Sequence, residues 1–110
     1  MRLDAGRKSL VYATDCEPKA EDLPRLAAFC RDADLLMFDG QFTPKEAECR
    51  TGYGHSTAET GLELLRLSGA KRLLVIHHDP QADDAALEAR ERAIGRDDVR
   101  FARAGEEIVL

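Results

Sequence analysis

Two segments of the chain, ADLLMFDG and KRLLVIHH, are apolar at almost every position, a pattern typical of strands buried in a sheet. The first stops at Asp39-Gly40 and the second at His77-His78. An earlier β-branched and apolar stretch, KSLVYATD, predicts a third strand over about residues 9–14 that ends at Asp15. Between the strands the apolar period becomes helical. EDLPRLAAFCRDA sets Leu23, Leu26, Ala27 and Cys30 at helical spacing, with Asp22 as a cap and Pro24 in the first turn, where proline is tolerated. TPKEAECR predicts a short helix with Thr43 as cap and Pro44 at its first position. STAETGLELLRLSGA carries Ala58, Leu62 and Leu65 on one face, begins at Ser56 or Thr57 and closes at Gly69. DPQADDAALEARERAIG reads as a charged amphipathic helix with a modest stripe from Ala85, Leu87 and residues 89–94. VRFARAGEEIVL reads as two short strands around Ala104-Gly105. The order β-α-β-α-α-β-α-β-β predicts one α/β domain over residues 1–110, with helices on a largely parallel or mixed sheet.

Charge and cysteine usage narrow the function. Sixteen basic against twenty-one acidic residues give a net charge of -5, and no basic stripe runs along the chain. Charge alone therefore gives no reason to expect nucleic acid as a partner. The start, MRLDAGRKSL, has no apolar region after its basic residues, and no run approaches the roughly 18 apolar residues of a membrane span. The expectation is a soluble, cytoplasmic protein with no membrane partner. Cys16, Cys30 and Cys49 are odd in number and lack C-x-x-C spacing, which predicts reduced thiols rather than a disulfide framework or a cysteine zinc site.

In an α/β layer, chemistry collects where strands end and loops present polar groups. Three predicted strands end in Asp15, Asp39 and His77, and GYGHSTAET sets His55 just ahead of a helix. Each strand-end carboxylate alone is also readable as a turn former or helix cap. Asp15 and His77 are hard and borderline donors that suit zinc, manganese or iron, although two ligands are fewer than zinc requires. His55 has two readings: a loop histidine beside capping hydroxyls, or a general acid oriented by Asp39. His78 is expected to point away from His77, because neighbours on a strand alternate faces. Asp79, Asp83 and Asp84 read as charges favoured at a helix start.

Taken together and in this order, SLVYATDCEP, ADLLMFDGQFT, GYGHST and KRLLVIHHDP resemble the C-terminal half of a metallo-β-lactamase-fold hydrolase, on the branch that contains ribonuclease Z and related phosphodiesterases. The resemblance implies half of an αββα sandwich, a mixed sheet covered by helices on one face. It implies a divalent metal, zinc first, with Asp15 bridging two ions and His77 as the last histidine ligand. It implies His55 as the proton donor at a scissile phosphate, with Asp39 behind it. The family's H-x-H-x-D-H motif is absent from the sequence. A chain of this kind is expected to need a missing N-terminal half or a homodimer, and to act on a small phosphoester or RNA-like substrate only in a completed site.

Other readings stand beside this one. A receiver-like signalling domain would use Asp15 and Glu17 as a magnesium pocket and Asp39 as phospho-acceptor, but the spacing between the aspartates is short and His77 stands where such domains use lysine. A non-catalytic interaction domain is the third reading.

Overall fold

The computed structural model describes residues 1–14, 17–77, 83–103, 105 and 107–108. Five strands form one mixed sheet in sequential order: β1 (Arg2–Ala5), β2 (Lys8–Ala13), β3 (Leu35–Asp39), β4 (Leu73–Ile76) and β5 (Val99–Phe101). β1 is antiparallel to β2 across a tight turn at Gly6-Arg7, and the remaining pairings are parallel. The first strand was not among those predicted, because RLDA has neither a β-branched run nor a clear alternation. It is held by ladder bonds to β2, a contact that local propensity does not register.

The helices are α1 (Leu23–Phe29), α2 (Pro44–Cys49), α3 (Ala58–Ser68) and α4 (Asp84–Ile94), with a 3-10 turn at Ala20–Asp22 ahead of α1. Thr43 caps α2 by accepting from the Glu46 N–H, and the Glu46 carboxylate accepts in return from the Thr43 N–H. Thr57 caps α3 by accepting from the Thr60 N–H and Asp83 caps α4 by accepting from the Ala86 N–H, and Gly69 and Gly95 end the two helices. Asp22 departs from its expected role. Its carboxylate accepts from the backbone of Lys19 instead of capping α1. Of the stripe predicted on α4, only Leu87 is buried, and on α3 Leu64 takes the central place with Leu65. Glu107 and Ile108 are not in a strand, so the last predicted strand is not found among the described residues.

One face of the sheet carries the main core. Val11, Leu36, Phe38, Leu73, Val75, Val99 and Phe101 pack there against Ala27 of α1, Ala58, Leu64 and Leu65 of α3, and Leu87 of α4. Helices returning from parallel strands in right-handed crossovers, with strands in sequential order, fall on the same side. The doubly wound order 2-1-3-4-5 that a receiver-like domain would require is not the order here. On the opposite face Leu35, Leu74 and Ile76 are also buried, with Ala102 and Ile108 packed over them. Toward the hairpin that face opens, and Leu3 and Tyr12 are exposed. The half-sandwich expectation thus holds for the architecture, while its bare face is smaller than the resemblance implies.

Register aligns the strand ends. Ala13 stands opposite Phe38, Phe38 opposite Val75, and Asp39 opposite Ile76. The residues that follow β2, end β3 and follow β4 therefore lie in one row along the carboxyl edge. Gly40 lets β3 leave that edge close to β4: a Cβ there would stand 2.2 Å from Val75 Cγ1.

Candidate active site

The row at the carboxyl edge brings Asp39, His55 and His77 together. Asp39 is the last residue of β3 and is fully buried. A carboxylate so buried must be met by donors, and it is. Its Oδ1 accepts from the backbone N–H of Gln41 and of Ser56, each at 3.2 Å. Its Oδ2 lies 2.9 Å from His55 Nδ1 and 3.5 Å from His77 Nδ1. An ionised carboxylate only accepts, so the His55 contact places the proton on Nδ1.

His55 reaches Asp39 because of how its loop is built. Gly52 and Gly54 both have positive φ, +91° and +83°, a backbone region that side chains disfavour. They turn the chain between the end of α2 and the cap of α3. A parallel bridge between Phe42 and Thr57, with the Phe42 N–H bonded to Ser56 O at 3.1 Å, then fixes the segment beside β3. From the other side, Glu17 accepts the Gly52 N–H with both carboxylate oxygens, at 2.9 and 2.8 Å. The imidazole is 19% exposed and meets the Phe42 ring edge-on at 5.9 Å.

His77 follows β4 with φ +59°, a left-handed conformation rare outside glycine. The cost of such a conformation is sustained only where surrounding contacts impose it. Here the imidazole is brought 4.4 Å, centroid to centroid, from that of His55, and its Nδ1 lies 3.2 Å from Thr14 Oγ1. Its side chain is 36% exposed. One donor atom from each of Asp39, His55 and His77 lies within 4.8 Å of the others, a carboxylate and two imidazoles that fit a divalent cation by their chemistry.

Asp15 and His78 lie outside the described residues, as do Cys16 and Asp79; Cys30 is buried and Cys49 exposed. Thr14, the neighbour of Asp15, is in contact with His77. Several residues of the site had no signal in the sequence reading. Thr14 is a side-chain contact across parallel strands 63 positions apart. Gln41, Phe42, Arg50 and Tyr53 line an open recess of about 350 Å³ beside His55. Only the loop that brings residues 50–55 over β3 makes neighbours of them.

Comparison with known proteins identifies the family and the fold. The sequence profile of the beta-lactamase superfamily domain matches residues 1–78. Ribonuclease Z of Myxococcus xanthus is 34% identical over 100 residues, covering 87% of this chain and 31% of that protein. Ribonuclease Z of Salinibacter ruber is 36% identical over 80 residues, with 73% and 24% covered. Among solved structures, the metallo-beta-lactamase fold protein YhfI of Bacillus subtilis superposes with a TM-score of 0.72 at 23% identity, covering 96% of this chain and 41% of that one. The short form of human tRNase Z gives 0.62 at 22% identity, over 86% and 30%. Those two likenesses establish the fold. The chain spans a quarter to a third of the length of the two ribonuclease Z relatives.

Proposed function

Because the chain belongs to the beta-lactamase superfamily, we propose that it carries the proton-transfer side of a metal-dependent hydrolase directed at phosphodiesters. The observation that supports this best is the buried Asp39 carboxylate set behind His55 at 2.9 Å and beside His77 at 3.5 Å, at the carboxyl edge of the parallel strands. The likeness to two ribonuclease Z proteins supports an RNA-like diester as the substrate class. The remaining metal ligands would come from an H-x-H-x-D-H segment that this sequence does not contain. A partner segment or a second copy of the chain would seat on the open, hairpin side of the sheet, where Leu3 and Tyr12 are exposed.

In this reading His77 would hold the metal, with Asp15 as the second ligand from this chain. Thr14 then receives the His77 Nδ1 proton and fixes the ring, as polar neighbours do for metal-bound histidines. Imidazole and carboxylate donors favour zinc, with manganese and iron as alternatives. When bound, such an ion supplies Lewis-acid stabilisation of charge on phosphate oxygen and a more acidic water. The chain's own residues do the rest. Asp39 holds the Nδ1 proton of His55, so the group facing the substrate is Nε2, and a protonated imidazole there is a general acid. The oxygen of water bonds to phosphorus, the bond from phosphorus to the leaving oxygen breaks, and the Nε2 proton passes to that oxygen as it departs. The water's own proton is released to solvent.

Zinc titration followed by native mass spectrometry tests this reading. One zinc per chain is expected, with affinity lowered about 10- to 100-fold or more by His77→Ala and by Asp15→Ala and little changed by His55→Ala. Zinc binding indifferent to His77 and Asp15 would end the proposal. The close spacing of Asp39, His55 and His77 favours a second arrangement, a single ion held by those three, which an equal loss in His55→Ala would select.

A further inference from the structure

Resting on the reading in which His55 protonates a departing oxygen, we propose that the recess beside His55 is the subsite for the leaving nucleoside, with its base stacked on Tyr53. The group attached to the leaving oxygen must lie on the side of the proton donor. On that side is the recess of about 350 Å³ lined by Gln41, Phe42, Arg50, Tyr53 and His55. That volume is at the small end of ligand pockets and suits one nucleotide rather than a helix.

Its walls are chemically matched to such a group. Tyr53 is two residues from His55 and 67% exposed, so no core packing requires an aromatic ring there. It meets Phe42 edge-on at 6.5 Å and 70°. Phe42 in turn is buried and meets His55 edge-on, which links the stacking platform to the proton donor. The Arg50 guanidinium lies 5.3 Å from the Phe42 centroid, steadied by Glu46 at 3.2 Å, and lends positive charge where a phosphodiester would enter. Gln41 supplies the fourth element. Its Oε1 is buried and has no hydrogen-bond partner among the described residues, an acceptor that a donor on a nucleoside would satisfy. A net charge of -5 gives no long-range pull on a polynucleotide, so recognition through one stacked base is the mode this surface supports.

Amide NMR titration of the intact chain separates the alternatives, with adenosine as a base-bearing probe and ribose 5-phosphate as a baseless one. Adenosine is expected to shift the amides of Gln41, Tyr53 and Gly54. Tyr53→Ala should weaken it about tenfold, within the range seen when a stacking aromatic is removed, and Tyr53→Phe should bind as the parent does. Adenosine binding unchanged in Tyr53→Ala, or ribose 5-phosphate shifting the same amides as strongly, overturns the subsite. The outcome is separate from the zinc titration. Tyr53-dependent adenosine binding with zinc indifferent to His77 would leave a nucleoside-binding recess but remove the hydrolase reading and with it the recess's role for a leaving group; the reverse pattern would remove only the nucleoside recess.

Discussion

At the scale of single residues, Asp39 decides most. It satisfies two backbone N–H groups through Oδ1 and orients His55 through Oδ2. Asp39→Asn keeps one oxygen for the backbone and presents an amide N–H to the imidazole, which turns the Nδ1 proton away. The variant is therefore expected to fold, while nitrogen NMR of the imidazole reports the opposite tautomer. In a completed site, turnover should fall about 10²- to 10⁴-fold, the share a positioned general acid contributes. An unchanged tautomer in Asp39→Asn would mean that Asp39 does not orient His55. Glu17 works one step further out: by taking the Gly52 N–H it ties the His55 loop to the segment that follows β2.

At the scale of elements, the parallel strands β2 and β3 are joined at the end remote from the site by Asp34. Its carboxylate accepts the Ser9 N–H at 2.8 Å and the Lys71 ammonium at 3.0 Å. The Lys71 hydrogen bond, then the Ser9 N–H, hold its carboxyl below the ordinary value of 3.8 against the opposing effect of burial. A carboxyl that titrates lower in the folded chain than in the unfolded one stabilises the fold above the unfolded value, and that contribution is lost as pH falls through the folded value. Urea unfolding is thus expected to give a stability that is level toward neutral pH and declines below about pH 4. Asp34→Asn should lower the neutral stability and flatten that decline. An equally steep acid decline in the variant would assign the effect to other carboxylates.

At the scale of the whole molecule, the fold rests on one large apolar cluster. Residues of all three longer helices and four strands meet in one buried cluster that includes none of Asp39, His55 or His77. No helix among the described residues is long and apolar enough to cross a membrane. Removal of metal by a chelator is therefore expected to leave the far-UV circular dichroism and cooperative melting intact. Zinc at about 100 times its dissociation constant should add about 2.7 kcal/mol by mass action. Collapse of the fold on chelation would show instead that the ion is structural.

The apolar runs, the turn of period between them, and the caps at Thr43, Thr57 and Gly69 made the α/β class, most element positions and the carboxyl-edge residues legible in the sequence, because these are local consequences of side-chain type. The resemblance carried by GYGHST and its companions named the family that the profile match establishes. Strand β1, the sequential order and the covering of Leu35, Leu74 and Ile76 were not legible, since each depends on partners remote in the chain. The site divides the same way. Asp39, His55 and His77 could be singled out by type and place, but their closeness is set by strand register, the left-handed His77 and the loop through Gly52 and Gly54. The contacts of Thr14 with His77 and of Glu17 with Gly52, and the recess at Tyr53, came only from tertiary structure. Hydrophobic period is written along the chain, whereas the distance between two polar side chains on different strands exists only once the sheet has set its register.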